Sequence, residues 1–100
     1  MFDSDFKKMS NIVNHDGKSY FVDTNNTFDR GLETMVFNSG PQNESDNESK
    51  INFELIEWDG IYCELHDSTD VAISHHNKVV ELIRRFGIPF PGNVGVDYEK

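Results

Sequence analysis

Residues 67–87 read DSTDVAISHHNKVVELIRRFG, and they decide the fold because they spell one complete helix with both ends marked. Ala72, Val79, Leu82, Ile83 and Phe86 recur at three- and four-residue steps, which gathers them into a single apolar stripe. Asp67, Ser68 and Thr69 are candidate N-caps, and Asp70 adds a carboxylate to the first turn, where the helix dipole favours it. Arg84 and Arg85 suit the last turn, Gly87 is placed to cap it, and Pro89 prevents continuation. A helix with one apolar face packs on another layer.

The stretches before the helix read as that layer. Ile12-Val13-Asn14 and Ser19-Tyr20-Phe21-Val22 flank Asp16-Gly17, a strong signal for a primed hairpin turn. Glu33-Thr34-Met35-Val36-Phe37 is a third strand, bracketed by Gly31 and Gly40-Pro41. Ile51, Phe53 and Leu55 alternate with Asn52 and Glu54 as a fourth, Asp59-Gly60 offers a second tight turn, and Ile61–Leu65 makes a fifth. At the start, Phe2, Phe6 and Met9 stand at helical spacing, enough for a short N-terminal helix. Residues 39–50 carry no large apolar side chain to offset the entropy of ordering, which predicts a mobile loop. The tail 88–100 reads as extended, with Ile88-Pro89-Phe90-Pro91 either folded back over the core, the favoured reading, or serving as a docking motif for a partner. The expectation is a single α+β domain over residues 1–100. It has an antiparallel meander of four to five strands, packed against one long C-terminal helix.

Composition fits one small folded unit. The apolar fraction is 36% of 100 residues, low for a globular chain, and eight Phe, three Tyr and one Trp partly compensate. Cys63 is the single cysteine, so no internal disulfide forms and a reducing compartment fits. The first residues lack a signal-peptide pattern, and no apolar run approaches the ~20 residues of a membrane span. A cytoplasmic protein is predicted. With a sequence pI near 4.6, direct binding to nucleic acid or to anionic lipid is disfavoured.

The negative charge is segregated. Nine acids lie between Glu44 and Asp70 with Lys50 as the one base among them, so this quarter of the chain holds −8 of the formal −9. Such a field speaks of partners rather than of chemistry. Glu54, Glu57, Asp59, Glu64, Asp67 and Asp70 fall on predicted strands and the helix start, and Glu44, Asp46 and Glu48 form a flexible auxiliary. On a strand, acids at i and i+2 stand about 6.6–6.8 Å apart, close to two phosphate steps of a duplex strand. These nine residues therefore predict a non-enzymatic interaction protein that engages a basic, nucleic-acid-binding protein and inhibits it by imitating DNA. The runner-up is an accessory domain whose acidity serves only solubility.

A third reading uses Cys63, His66, His75 and His76, all legitimate zinc ligands. Their spacing opposes it. Positions 63 and 66 of a strand face opposite ways, and His75 and His76 are about 100° apart on a helix. No catalytic residue, metal or cofactor is assigned on this basis.

The strand Glu33-Thr34-Met35-Val36-Phe37, followed by Trp58, Cys63-Glu64, Ala72, His76 and Val80-Glu81, resembles a family of small bacterial and bacteriophage proteins of uncharacterised function. In that family an E-T-M-V-F strand precedes a Trp, a C-E pair and a helix with A-x-x-x-H followed by V-E. The resemblance spans roughly residues 23–81, and the acidic insertion from Ser39 to Lys50 departs from it. It implies a phage or prophage setting, in which the partner is a host protein, and it gives His76 a structural place on the buried helix face.

Overall fold

In the computed structural model, which describes residues 6–27 and 29–90, the Asp16-Gly17 pair makes the first turn of the sheet. Both residues have positive φ, 53° and 81°, as a type I′ turn requires. This turn joins strand β1 (Met9–His15) to β2 (Lys18–Thr27) in a register running from Met9–Thr24 to His15–Lys18. Strand β3 (Gly31–Ser39) pairs with β2, and β4 (Ile56–His66) pairs with β3. All pairings are antiparallel in the order β1-β2-β3-β4, a four-stranded meander.

Helix α1 (Thr69–Phe86) lies across one face of the sheet. Ser68 caps its start by accepting from the Val71 N–H at 3.2 Å, and the Gly87 N–H donates to the Ile83 carbonyl at 2.7 Å. Its buried side is Ala72, His76, Val79, Val80 and Ile83. Phe86, expected in the apolar stripe, is exposed, and Val80 is buried instead. Val79, Val80 and Ile83 meet Val13, Tyr20, Val22 and Val36, with Tyr62, Ile88 and Phe90 packed around them. The beginning of the tail thus folds over the core as expected, while residues 91–100 lie outside the described part.

The opposite face of the sheet has its own core. Ile12, Phe21, Phe37, Ile51 and Ile56 are buried there, with Met35 and Phe53 against them. Two-sided burial explains why β2 reads Tyr20-Phe21-Val22 without alternation: odd and even positions both face apolar layers.

Three local expectations are corrected. Residues 6–8 take no regular structure and Met9 already pairs with Thr24, so no helix occupies the described part of 2–9; residues 1–5 lie outside the described residues. The fourth and fifth strands, with a turn at Asp59-Gly60, are replaced by one strand of eleven residues. Gly60 pairs with Phe37 inside it, where an added Cβ would collide with Met35 Cε, and two register shifts absorb the extra residues of β4. Before β4, Asn47 and Asn52 each accept a backbone N–H two residues ahead and wind 48–50 and 53–55 into 3₁₀ turns.

Third, the acidic loop, expected to lack contacts, is tied to the rest of the fold by hydrogen bonds. Ser45 exchanges both backbone hydrogen bonds with Ile12 at 2.8 and 3.2 Å, against the outer edge of β1. Gln42 donates to Ser39 and to the Asn52 carbonyl, accepts from the Asn52 N–H, and its own N–H and carbonyl meet Ser19 Oγ. Polar side chains, not apolar burial, order this segment.

Candidate functional site

The meander determines where the acids go. Glu44 stands beside β1, accepting from the Asn14 N–H at 2.8 Å and from Arg84 at 3.2 Å. Burial alone would raise its carboxyl, but those two partners outweigh burial and hold it below the usual range. Glu48 lies 3.5 Å from Lys8 Nζ, and Asp46 shares a shallow pocket with Lys8 and Asn11. Glu54, Glu57 and Asp59 are exposed around the start of β4, and Asp67 and Asp70 are exposed beyond its end. Strands β1 and β4 are opposite edges of the sheet, roughly 14 Å apart by three strand spacings. That exceeds the screening length of about 8 Å at physiological salt. The auxiliary acids Glu44, Asp46 and Glu48 therefore stand apart from Glu54, Glu57, Asp59, Asp67 and Asp70 rather than extending one strand ladder.

Glu64 leaves the surface altogether. It is 1% exposed, on the sheet face that α1 covers. Its Oε1 accepts from the Tyr62 hydroxyl at 2.8 Å, and its Oε2 lies 2.6 Å from His75 Nδ1. The carboxylate expected to meet a partner is instead an interior group.

Beside it runs a chain of buried hydrogen bonds linking all four strands to the helix. Asn11 Oδ1 is 2.7 Å from His76 Nε2, and His76 Nδ1 is 2.7 Å from Thr24 Oγ1. The Thr24 and Thr34 hydroxyls are 2.5 Å apart, and Thr34 Oγ1 is 2.8 Å from His66 Nε2. Burial pushes the His76 imidazole down to about 4, with the nearby His66 adding to the effect, so the ring is neutral at pH 7. A neutral ring carries one N–H, and each threonine carries one hydroxyl proton. With Asn11 Oδ1 accepting from His76 Nε2, Thr24 donates to His76 Nδ1. Thr34 then donates to Thr24, and His66 Nε2 donates to Thr34. The direction of every bond follows from the first.

His66 Nε2–H is thus committed to Thr34, and Nδ1 faces Glu64, whose Oε2 is 4.0 Å away. Glu64, His66 and His75 each offer one ligand atom, and the three atoms lie within 4.8 Å of one another. Glu64 and His66 are two residues apart on β4 and share a face; His75 reaches them from the first half of α1. Of the four residues weighed for zinc, the structure brings together His66 and His75 and separates the others. His76 belongs to the hydrogen-bond chain. The even spacing of 64 and 66 was the available signal, masked because Glu64 reads as one more acid in an acidic run.

Cys63 points to the other face, donating to Glu33 Oε2 at 3.1 Å. Burial and the Glu33 carboxylate push its thiol up to about 11 against a smaller opposing effect of Arg30. A thiol held there has about a hundredfold less thiolate at neutral pH than one near 9. Alkylation of the folded protein by iodoacetamide at pH 7.5 is expected to be correspondingly slow although Cys63 is exposed. Glu33→Gln should raise the rate about tenfold; an unchanged rate would show that the carboxylate does not restrain the thiol.

Comparison of the chain with protein-family models, with curated proteins and with solved structures returns no match.

Proposed function

We propose that this protein is a non-enzymatic interaction module that takes a basic protein partner along the outer edge of β4. The observation that carries this reading is what the edge displays. Among the described residues nothing pairs with the far side of β4, an edge of eleven residues. Trp58 and Leu65 are 58% and 52% exposed on it, and Ile61 is exposed between them. Glu54, Glu57 and Asp59 flank this apolar middle at one end, and Asp67 and Asp70 at the other. Among the described residues no base forms an ion pair with any of these five.

An exposed edge is a template for an added strand, and charges on it ordinarily prevent indiscriminate pairing. Acidic ends with an apolar centre select an extended segment that is basic at its ends and apolar between. Strict phosphate mimicry receives less support. After Glu57 and Asp59, the exposed positions 61, 63 and 65 are Ile, Cys and Leu, so the ladder of acids stops after one step. The partner is therefore a basic host protein, of the kind that holds DNA or RNA, engaged through one of its own segments and inhibited by occupation. The phage setting rests on the family resemblance.

Capture from host extract at graded ionic strength tests this, comparing the native chain with the double variant Glu57→Lys, Asp59→Lys. A basic protein retained at low salt should be released as salt rises and should not be retained by the variant. Both substituted positions are exposed, so circular dichroism should show the variant folded. Equal retention of the same protein by a folded variant would overturn the proposal, as would retention indifferent to salt. Loss of retention to added duplex DNA identifies a nucleic-acid-holding partner.

A further inference from the structure

We propose that Glu64, His66 and His75 form a binding site for a divalent transition-metal ion of the zinc class. The donor set is two imidazoles and a carboxylate, the combination zinc accepts with a fourth position left open. Tetrahedral zinc with bonds of 2.0–2.1 Å sets its ligand atoms about 3.3 Å apart. Here one pair is at 2.6 Å, a second at 4.0 Å, and none exceeds 4.8 Å. Adjustments of roughly 1 Å, mostly of the partly exposed His75 ring, bring the three to one ion.

The surroundings supply what such ligands need. A metal-binding imidazole keeps its proton on the other nitrogen and donates it to a fixed acceptor, which orients the ring and sets its tautomer. Thr34 is that acceptor for His66 Nε2, and the chain back to Asn11 fixes the direction of the bond. With Nε2 committed to Thr34, Nδ1 is the ring atom that faces the carboxylate, 4.0 Å from Glu64 Oε2, and the atom that a cation between them would engage. Tyr62 holds the second carboxylate oxygen and leaves Oε2 for the ion. His75 Nδ1 already lies 2.6 Å from Oε2, so the two atoms that now face one another would both turn to the ion. The pair His66 and Glu64 is inaccessible to solvent, while His75 is partly exposed and forms the entrance.

This inference is independent of the partner proposed for β4, and its experiment uses no partner. Untagged full-length protein is stripped with chelator and titrated with Zn²⁺ by calorimetry, and with Co²⁺ by visible absorption. One ion per chain should bind, with the intense d–d bands of a low-symmetry four-coordinate Co²⁺ site. His75→Ala, checked by circular dichroism to be folded, should weaken binding at least tenfold; Glu64→Gln, closest in shape to the native side chain, should do the same. Absence of stoichiometric binding would overturn the proposal. So would undiminished affinity in folded His75→Ala, which would assign the ion to another histidine such as His15.

Discussion

Thr24→Val is expected to lower the free energy of unfolding by about 2–5 kcal/mol, although the two side chains have nearly the same shape. Thr24 is fully buried in the middle strand pair, between His76 and Thr34. No cavity opens on substitution, so the loss is one of hydrogen bonds alone. His76 Nδ1 is left with a methyl group where a hydroxyl proton stood, and the Thr34 hydroxyl loses its acceptor. Each buried group stripped of its partner costs about 1–3 kcal/mol. Protonating His76 gives no relief, because the new N–H would face the same methyl. Against a total stability of about 5–15 kcal/mol for a domain of this size, the change is large. Urea denaturation should show a lower midpoint with an unchanged slope. A midpoint unmoved by Thr24→Val would mean that the chain of hydroxyls and imidazoles does not contribute to holding the helix on the sheet.

This chain also shows which parts of the molecule the sequence reveals. Helix α1 is legible from end to end because its signals are local: Ser68 caps it, Gly87 ends it, and the apolar steps between them repeat within a few residues. The β1–β2 hairpin is legible for the same reason, since Asp16-Gly17 determines its own turn. Asp59-Gly60 carries an identical signal and forms no turn, because β3 offers residues 56–60 a partner strand that no local rule can see. The segment 40–50 defeats a count of apolar residues in another way. Gln42 and Ser45 fasten it by hydrogen bonds to Ser19 and Ile12, far away in sequence, while Asn47 winds its end locally. The candidate metal site is half legible. Glu64 and His66 share a face by simple alternation, yet the burial that turns Glu64 from a surface acid into an interior ligand depends on where α1 crosses the sheet.

The second large effect concerns the face that α1 does not cover. Phe21→Ala is expected to cost about 3–5 kcal/mol, the usual range for truncating a buried phenylalanine. Phe21 is the hub of an aromatic cluster: its ring centroid lies 5.9 Å from Phe37, 5.5 Å from Phe53 and 5.9 Å from Trp58. Phe53 in turn stacks on Trp58 at 6.4 Å with an interplanar angle of 7°. Removing Phe21 withdraws support from three rings at once, two of which belong to the segment running into β4. A loss of this size corresponds to a fall of about 12 °C or more in melting temperature for a domain of this length. Trp58 is the only tryptophan, so its emission reports directly on the cluster. It should shift to longer wavelength in Phe21→Ala even well below the melting temperature, as Phe53 and Trp58 lose their common neighbour. Because Trp58 also stands on the exposed edge of β4, the same substitution should loosen the surface proposed for the partner while leaving its acids untouched. Weaker capture with Glu57 and Asp59 intact would then show that the edge works through a rigid apolar centre as well as through charge. A melting temperature within a few degrees of the native value, with unchanged emission, would show instead that this face is a covered surface and not a second core.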